Sequence, residues 1–378
     1  MSKRILFVGL ACALLLAESC QEQETAGPEP GEPAGLPLLP AGQYAGIIRG
    51  FNPDNPPATQ DSVADRWQEA LSAGMAIHRL QIDWPDLEPF PNRYDLSVLE
   101  NRLQENKKQG LHTFLLISAY DSGGPVVPSD LSGLPFDHPQ LINRFKQLMD
   151  RVIPTLIAND GYLIAIANEP DNGFGEIADL DQQIGSFLTT VKEHIHSLDH
   201  RIAVTITLAE GSLDEHKPGL FDILSACDVH CWNYYGARSL PEYPFYPIQS
   251  EKEVRADIRR MLSLADHRSV VIQEVGLWSG QDRLNSSPLD QARFFSWFFD
   301  EMGQHPRLRA AYVFQMVDWS ASATALITQE IPPDSVPNGF LEALSESLLT
   351  MGLVDYHSGS AKPAWAIFAQ AVSRFGKN

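Results

Sequence analysis

The chain has 378 residues, of which 44% are apolar, enough to bury the core of one large domain or of two ordinary ones. Acidic residues outnumber basic ones by 48 to 28, so the formal net charge is −20. This charge disfavours binding to nucleic acid or to an anionic membrane, because both partners require a basic surface.

Residues 1–19 have the pattern of an export signal. Two basic residues precede the almost wholly apolar run from Ile5 to Ala17. The small Ser19 directly before Cys20 resembles a bacterial lipoprotein leader, in which Cys20 would carry lipid; ordinary cleavage without a lipid is the alternative. We therefore expect an extracytoplasmic protein that is either secreted or held at the cell envelope through Cys20. Beyond this leader no apolar run reaches the roughly 18 residues needed to cross a bilayer.

Residues 20–42 are rich in Glu, Pro and Gly and poor in large apolar side chains, which predicts a flexible linker before a domain over 43–378. Two cysteines lie in that domain. On an extended segment, Cys227 and Cys231 would be separated by about 13 Å, too far for a disulfide. We expect both to be buried free thiols.

From residue 43 onward, short apolar runs alternate with longer stretches of helical period, which indicates parallel β/α units. The predicted strands are Tyr44–Gly50, Ala76–Asp83, His112–Ser118, Tyr162–Ala167, Arg201–Thr207, Asp228–Trp232, Ser269–Gln273 and Ala310–Gln315. The predicted helices are Ser62–Ala73, Leu96–Gln109, Gln140–Ala158, Leu180–Ser197, Gly219–Ala226, Glu251–Ala265, Asp290–Gly303 and Pro363–Phe375. Eight such units over about 330 residues favour a closed (β/α)8 TIM barrel over an open nucleotide-binding sheet. The glycine fingerprint of such a sheet does not follow the first strand. Residues 320–361 are predicted to be a long insertion before the last helix.

Two of the predicted strands end in a single carboxylate. Asn168 and Glu169 follow the apolar run 162–167, and Glu274 follows the run 269–273. In a barrel of parallel strands, these ends lie at the rim where active sites form. An ionised carboxylate beside an apolar strand carries a desolvation cost unless it is paired or used. Glu169 and Glu274 are therefore candidate catalytic residues, and the structural alternative is a rim acid bound to a neighbouring arginine.

These motifs resemble those of clan A glycoside hydrolases, retaining enzymes built on a (β/α)8 barrel. The resemblance extends over nearly the whole mature domain and points to no single family. The matching segments are Asn168-Glu169-Pro170 on the fourth strand, Glu274 on the seventh, His78 to Trp84 on the second, Asp228 to Gly236 on the sixth, and Met351 to Asp355 with Lys362-Pro363-Ala364 before the last helix.

The resemblance implies that Glu274 is the nucleophile and that Glu169 is the general acid, which later acts as base. Retaining hydrolysis requires the two carboxyl groups to stand about 5 to 5.5 Å apart. Glu169 must hold its proton near neutral pH, which calls for an apolar wall or for the nearby negative charge of Glu274.

The resemblance also implies supporting roles for other residues. Asn168 would bind the sugar 2-hydroxyl, Arg79 would keep Glu274 ionised, and Tyr235, in preference to Tyr234, would place a hydroxyl beside the nucleophile. The structural alternatives are a strand-end turn residue for Asn168, an ion pair within the barrel for Arg79 and a core aromatic for Tyr235.

Aromatic side chains near the strand ends are candidate platforms for sugar rings, whose apolar faces stack on them. His230 is a weaker candidate for the sugar site, since a buried core histidine is the simpler interpretation. The eighth strand departs from the clan's pattern, because Phe314 and Gln315 stand where a tryptophan usually ends that strand. The candidate platforms are Trp84, Trp232, Trp278 and Trp319.

The sequence thus predicts an extracytoplasmic retaining β-glycosidase that acts on a polysaccharide or oligosaccharide without a metal or organic cofactor. A metal-dependent barrel hydrolase is disfavoured because the first strand does not end in His-x-His. Two alternatives remain: a surface lipoprotein that binds glycans without cleaving them, and a transglycosylase with the same residues.

Overall fold

The computed structural model describes residues 36–50, 56–122, 124–237, 248–329, 331, 336 and 338–376. The strands in this part of the chain are β1 Tyr44–Ile47, β2 Ile77–Asp83, β3 His112–Ser118, β4 Tyr120–Asp121, β5 Gly124–Pro125, β6 Gly161–Asn168, β7 Ala203–Ala209, β8 His230–Tyr235, β9 Val270–Gly276 and β10 Leu308–Val313. The α-helices are α1 Pro57–Ala73, α2 Trp84–Leu87, α3 Ser97–Lys108, α4 Pro139–Ala158, α5 Leu180–Leu198, α6 Leu220–Ala226, α7 Glu251–Leu264, α8 Pro288–Met302, α9 Ala321–Thr328, α10 Phe340–Thr350 and α11 Pro363–Phe375.

Eight parallel strands form one sheet in the order β1-β10-β9-β8-β7-β6-β3-β2. The two ends of this order meet, because Gly46 on β1 lies against Ile77 on β2. A Cβ atom at Gly46 would stand 2.9 Å from the Ile77 carbonyl oxygen and 2.9 Å from the Tyr312 ring, so only glycine fits there. The sheet is thereby nearly closed, which confirms the predicted (β/α)8 barrel.

The strands form because their residues can be buried on both faces. Every residue of β6 and of β9 is buried, as expected for parallel strands that carry helices outside and a filled interior. One apolar cluster lies between the sheet and the helices. A second cluster fills the barrel interior with Tyr44, Ile77, Phe114, Leu116, Tyr162, Val229, Cys231, Val271 and Tyr312, among others.

Local sequence signals fix several helix ends. Ser250 and Glu253 form a reciprocal capping box at the start of α7, and the Ser287 side chain accepts a hydrogen bond from the third residue of α8. Helix α1 ends at Gly74, whose φ of 107° lies in the left-handed region that favours glycine. The two serine caps therefore mark where α7 and α8 begin, and Gly74 marks where α1 gives way to β2.

The eight predicted strands are all present, and the predicted helix at 219–226 is observed as α6. The predicted bounds of α11 agree with the structure. The segment 320–361, predicted only as an insertion, contains α9 and α10. Cys227 and Cys231 are buried free thiols, as predicted. No helix of the described residues is long and apolar enough to span a bilayer.

The prediction of a flexible linker through residue 42 is wrong for residues 36–42. Leu36 and Leu39 are buried against the interior cluster at the amino end of the barrel. The Arg309 guanidinium also donates a hydrogen bond to the backbone oxygen of Gly42 at 2.6 Å. These contacts stabilise the segment because its two leucines cover apolar surface that the barrel would otherwise expose. The predicted leader over 1–19 and Cys20 lie outside the described residues.

Candidate active site

Polar side chains from neighbouring strands meet at the carboxyl end of the barrel. Glu169 follows β6 directly, and Glu274 lies on β9, opposite Asn233 of β8 in the strand register. Asn233 donates from Nδ2 to Glu169 Oε1 at 2.9 Å. The two glutamates are therefore brought to the same part of the rim, and the charge of Glu274 acts on Glu169.

Glu169 lies in surroundings that favour its protonated form. Its Oε2 accepts hydrogen bonds from Ser122 Oγ at 2.9 Å and from Asn172 Nδ2 at 3.2 Å. Burial, followed by the charge of Glu274, raises the pKa of Glu169 to about 7, although the hydrogen bonds to its carboxylate oppose that rise. The carboxyl group can therefore hold a proton near neutral pH.

Glu274 is 8% exposed and is held by two partners that favour the carboxylate. Arg79 Nη2 lies 3.2 Å from Oε1, and the Tyr235 hydroxyl donates to Oε2 at 2.6 Å. Burial raises the pKa of Glu274, while Arg79 and Tyr235 oppose the rise. The hydroxyl of Tyr234 instead donates to a core glutamine, Gln249, at 2.7 Å. The choice of Tyr235 over Tyr234 is thus supported by the contacts.

The Asn168 amide is held in one orientation. Its Oδ1 accepts from Gln273 Nε2 at 2.8 Å and from Asn233 Nδ2 at 3.1 Å, and its Nδ2 donates to Asp121 Oδ1 at 2.8 Å. An amide nitrogen carries two hydrogens, so Nδ2 retains one further donor. This donor is what the sequence-based assignment to a sugar hydroxyl requires.

Sequence reasoning missed several members of this network. Asn233 and Gln273 could have been found, since both are polar residues that interrupt apolar strands beside residues already selected. Asp121 and Ser122 gave no comparable signal, because they enter the site through β4, a two-residue strand whose Asp121 pairs with Asn168. Gln81 likewise reaches the site by donating to Asp121 Oδ2 at 2.9 Å.

The prediction that His230 contributes to the sugar site is wrong. His230 is the first residue of β8 and pairs with Val270, the first residue of β9, so it lies at the end of the barrel opposite the two glutamates. Its side chain is 1% exposed, and burial lowers its pKa to about 4. The predicted strand begins at Asp228, whereas β8 begins at His230. The prediction therefore placed His230 two residues closer to the carboxyl end of the strand than it is.

Three of the four predicted aromatic platforms are core residues, so those predictions are wrong. Trp84 is fully buried, donates from Nε1 to Glu88 at 2.9 Å and packs edge-on against Phe145. Trp232 is fully buried in the cluster between sheet and helices, and Trp278 is 5% exposed in the same cluster. Their positions near strand ends are correct, but their side chains point away from the cleft.

A cavity of about 840 Å³ lies along β2 and α3, and its lining includes the fourth predicted platform, Trp319. Arg79, which contacts Glu274, lines it as well, whereas neither glutamate is among the lining residues that the structure describes. Phe314 lies at its edge, with its ring centroid 6.1 Å from Tyr235 and 6.5 Å from Trp319. Phe314 directly follows β10, the eighth strand of the barrel. The half-buried ring of Trp319 lies beside it, so the two rings form one aromatic surface. The residues that line the cavity include Arg79, Gln81, Phe314, Gln315 and Trp319.

A metal site requires several acidic, histidine or cysteine side chains that converge on one point. Within the described residues, no group of three or more of them is placed to hold a metal ion. The polar groups of the rim instead bind one another through amide, hydroxyl and carboxylate contacts.

No family model and no curated protein matches the chain. Solved structures do match it. A variant of GH5_18 from Bifidobacterium longum subsp. longum ATCC 55813, in complex with Manβ1-4GlcNAc, aligns with a TM-score of 0.63 at 15% identity over 88% of this chain and 78% of that chain. Exo-beta-1,4-mannosidase Op5Man5 from Opitutaceae bacterium strain TAV5 gives 0.60 at 16% identity over 88% and 60%. A beta-glucosidase, 1317, gives 0.58 at 16% identity over 90% and 98%. These similarities confirm that the chain has the barrel fold of such glycosidases.

Proposed function

We propose that the protein is a retaining β-glycosidase that hydrolyses β-linked oligosaccharides or polysaccharides by double displacement. The observation that carries this proposal is the different environment of two carboxyl groups at one rim. The pKa of Glu169 is raised to about 7, whereas Glu274 is bound by Arg79 and by the Tyr235 hydroxyl. Two neighbouring acids with separated protonation states are what acid and nucleophile require.

In the first step, Glu274 attacks the anomeric carbon and forms a glycosyl ester as the bond to the leaving oxygen breaks. Glu169 gives its proton to that oxygen, so the aglycone leaves as an alcohol. The ester removes the negative charge of Glu274, which lowers the pKa of Glu169. In the second step, Glu169 takes a proton from water, the oxygen of that water attacks the anomeric carbon, and Glu274 leaves as a carboxylate.

The neighbouring structures support the substrate class. They include a mannosidase, a beta-glucosidase and a protein bound to the disaccharide Manβ1-4GlcNAc. A β-linked oligosaccharide is also compatible with the cavity, whose aromatic and polar surfaces suit the two kinds of surface on a sugar ring. The leader and Cys20 support an extracytoplasmic location, with Cys20 as a proposed lipid anchor.

The proposal is tested by incubating purified wild type, Glu274→Ala and Glu169→Ala with β-linked glucans, mannans, galactans and xylans and with p-nitrophenyl β-glycosides. We expect wild type to release sugar of retained anomeric configuration. NMR spectroscopy of the first product formed measures this configuration. Glu274→Ala should lose at least about 10³-fold in kcat, because no nucleophile remains.

Each other outcome has a defined meaning. Equal rates for wild type and Glu274→Ala would contradict the assignment of Glu274, and an inverted product would contradict double displacement. Binding of a glycan by wild type without any turnover would favour the glycan-binding alternative. Transfer of the sugar to an added alcohol in place of water would identify transglycosylation.

A further inference from the structure

We propose that Gln315 determines sugar specificity by binding two neighbouring hydroxyl groups of the substrate with its side-chain amide. This inference rests on the proposed function in one respect, since it takes the cavity lined by Arg79, the partner of Glu274, as the place where sugar binds. It adds a residue that neither the motifs nor the hydrogen-bond network around the glutamates had assigned to the substrate.

Gln315 is positioned to meet a ligand of the glutamates. It follows Phe314 immediately after β10, and the Phe314 ring contacts Tyr235, which hydrogen-bonds Glu274. Its side chain lines the same cavity as Arg79, whose guanidinium binds Glu274. A molecule that binds between these two residues therefore lies against Gln315 and against one direct partner of Glu274.

The amide of Gln315 is buried and has no hydrogen-bond partner among the residues that the structure describes. The residue is 1% exposed, yet neither Oε1 nor Nε2 makes a hydrogen bond. Gln249 shows the usual arrangement for a buried glutamine: its Oε1 accepts from Tyr234 and its Nε2 donates to Asp257. Unpaired buried amides are rare because they lose hydration without compensation, so an unpaired amide at the wall of a cavity points to a ligand that pairs with it.

The donors and the acceptor of a primary amide suit a pair of neighbouring hydroxyl groups. A primary amide presents one acceptor and two donors side by side, so it can accept from one hydroxyl and donate to its neighbour. Space for the amide exists because residue 50 is glycine: a Cβ atom there would stand 2.7 Å from Gln315 Oε1. Arg79 Nε, also buried and unpartnered, lines the same cavity and offers a further donor.

Specificity follows from the absence of an internal partner. A sugar with both hydroxyl groups satisfies the amide, whereas an analogue that lacks either one leaves a buried polar group unpaired in the complex. Sites built to bind a hydroxyl discriminate strongly against analogues without it for this reason. The inference therefore predicts discrimination at two adjacent ring positions.

The test measures kcat/KM of wild type, Gln315→Leu, Gln315→Glu and the matched control Gln249→Leu. The substrates are p-nitrophenyl β-D-glucoside, mannoside, galactoside and xyloside and their monodeoxy analogues. We expect wild type to prefer its best glycoside over two adjacent deoxy analogues by about 10- to 100-fold. In Gln315→Leu, kcat/KM for the best glycoside should fall by that same factor, whereas kcat/KM for the two deoxy analogues should equal that of wild type. Gln249→Leu should keep the wild-type ratios.

Thermal unfolding separates a binding role from a structural one. Gln315→Leu should unfold at or above the wild-type Tm, because it removes an unpaired amide, whereas Gln249→Leu should unfold at a lower Tm because it breaks two internal hydrogen bonds. If Gln315→Leu does not fold, the near-isosteric Gln315→Glu carries the test. This variant loses the amide donors and should lose discrimination at the hydroxyl that accepts from them.

The outcomes also separate this inference from the proposed function. If a folded Gln315 variant hydrolyses the glycosides with the wild-type ratios of kcat/KM, the inference about Gln315 is wrong and the proposed glycosidase activity is supported. A second outcome is Gln315-dependent binding of methyl β-glycosides, detected by calorimetry, to a wild type that cleaves none of the substrates. That result supports the role of Gln315 and contradicts the proposed glycosidase activity. If wild type neither binds nor cleaves any sugar of the panel, both are overturned.

Discussion

Glu169 and Glu274 have the same side chain, and the barrel gives them different surroundings. Ser122, Asn172 and Asn233 surround Glu169 with neutral donors, while Glu274 is bound by the positive charge of Arg79. A carboxyl group with only neutral donors gains less from ionisation than one beside a guanidinium. The division of labour between acid and nucleophile that we propose rests on this difference.

The pH dependence of activity should follow the two carboxyl groups. We expect kcat/KM to fall above about pH 7, where Glu169 loses the proton that the leaving group needs, and to fall at low pH, where Glu274 becomes protonated. Glu169→Gln should lose the alkaline fall on 2,4-dinitrophenyl glycosides, whose leaving group needs no proton. Wild-type kcat/KM that still rises beyond pH 8 would contradict the assignment of Glu169.

Replacing Tyr235 by phenylalanine should impair the nucleophile. The Tyr235 hydroxyl donates to Glu274 and lowers its pKa, so its loss should move the acid side of the pH profile to higher pH. Loss of this charge-assisted hydrogen bond should reduce kcat/KM by about 10- to 100-fold.

The matched control is Tyr234→Phe, which removes a hydroxyl that contacts Gln249 in the core. It should lower the free energy of unfolding, measured by urea denaturation, by about 1 kcal/mol. Its dependence of kcat/KM on pH should equal that of wild type. An unchanged profile for Tyr235→Phe as well would show that its hydroxyl does not act on Glu274.

The residue scale is also where sequence reasoning failed most. Position near a strand end located both glutamates and all four tryptophans, but it could not tell which way a side chain points. Trp232 lies between Cys231 and Asn233, which face the barrel interior, so alternation along the strand turns Trp232 toward the helices. An error of one residue in a predicted strand boundary reverses such an assignment.

The order of strands and helices was predictable because each element carries a periodic signal over many residues. Strand β6 is apolar from Tyr162 to Ala167, and β9 begins with three consecutive apolar residues. Helix α11 is marked in addition by proline in its first turn. The short hairpin of β4 and β5 has no such signal, since two residues show no period. Its position depends on pairing with β6, which only the three-dimensional structure supplies.

Gly46 is the residue on which closure of the sheet depends. Gly46→Ala would place a methyl group against the Ile77 carbonyl and the Tyr312 ring, each at 2.9 Å, so β1 must shift from β2 or the ring must move. We expect a loss of about 1 to 3 kcal/mol of unfolding free energy, measured by urea denaturation.

The matched control for that substitution is Gly211→Ala. A Cβ atom at Gly211 meets no other atom within 4 Å, so this variant should stay within about 0.5 kcal/mol of wild type. Equal stability of Gly46→Ala and wild type would show that the two strands have room to separate.

At the scale of the whole molecule, the segment 36–42 belongs to the folded domain. Gln43 continues its attachment, because Nε2 donates to the backbone oxygens of Met302 and Leu308. A chain that begins at residue 43 should therefore unfold at a lower Tm than one that begins at residue 36, since it exposes the apolar surface beneath Leu36 and Leu39. Differential scanning calorimetry of the two chains measures this, and identical Tm values would show that the segment adds nothing.

The position of Leu36 also determines where the preceding residues join the folded domain. They join it at the amino end of the barrel, whereas the two glutamates lie at the carboxyl end. If Cys20 carries the proposed lipid, the attachment point therefore leaves the candidate active site uncovered.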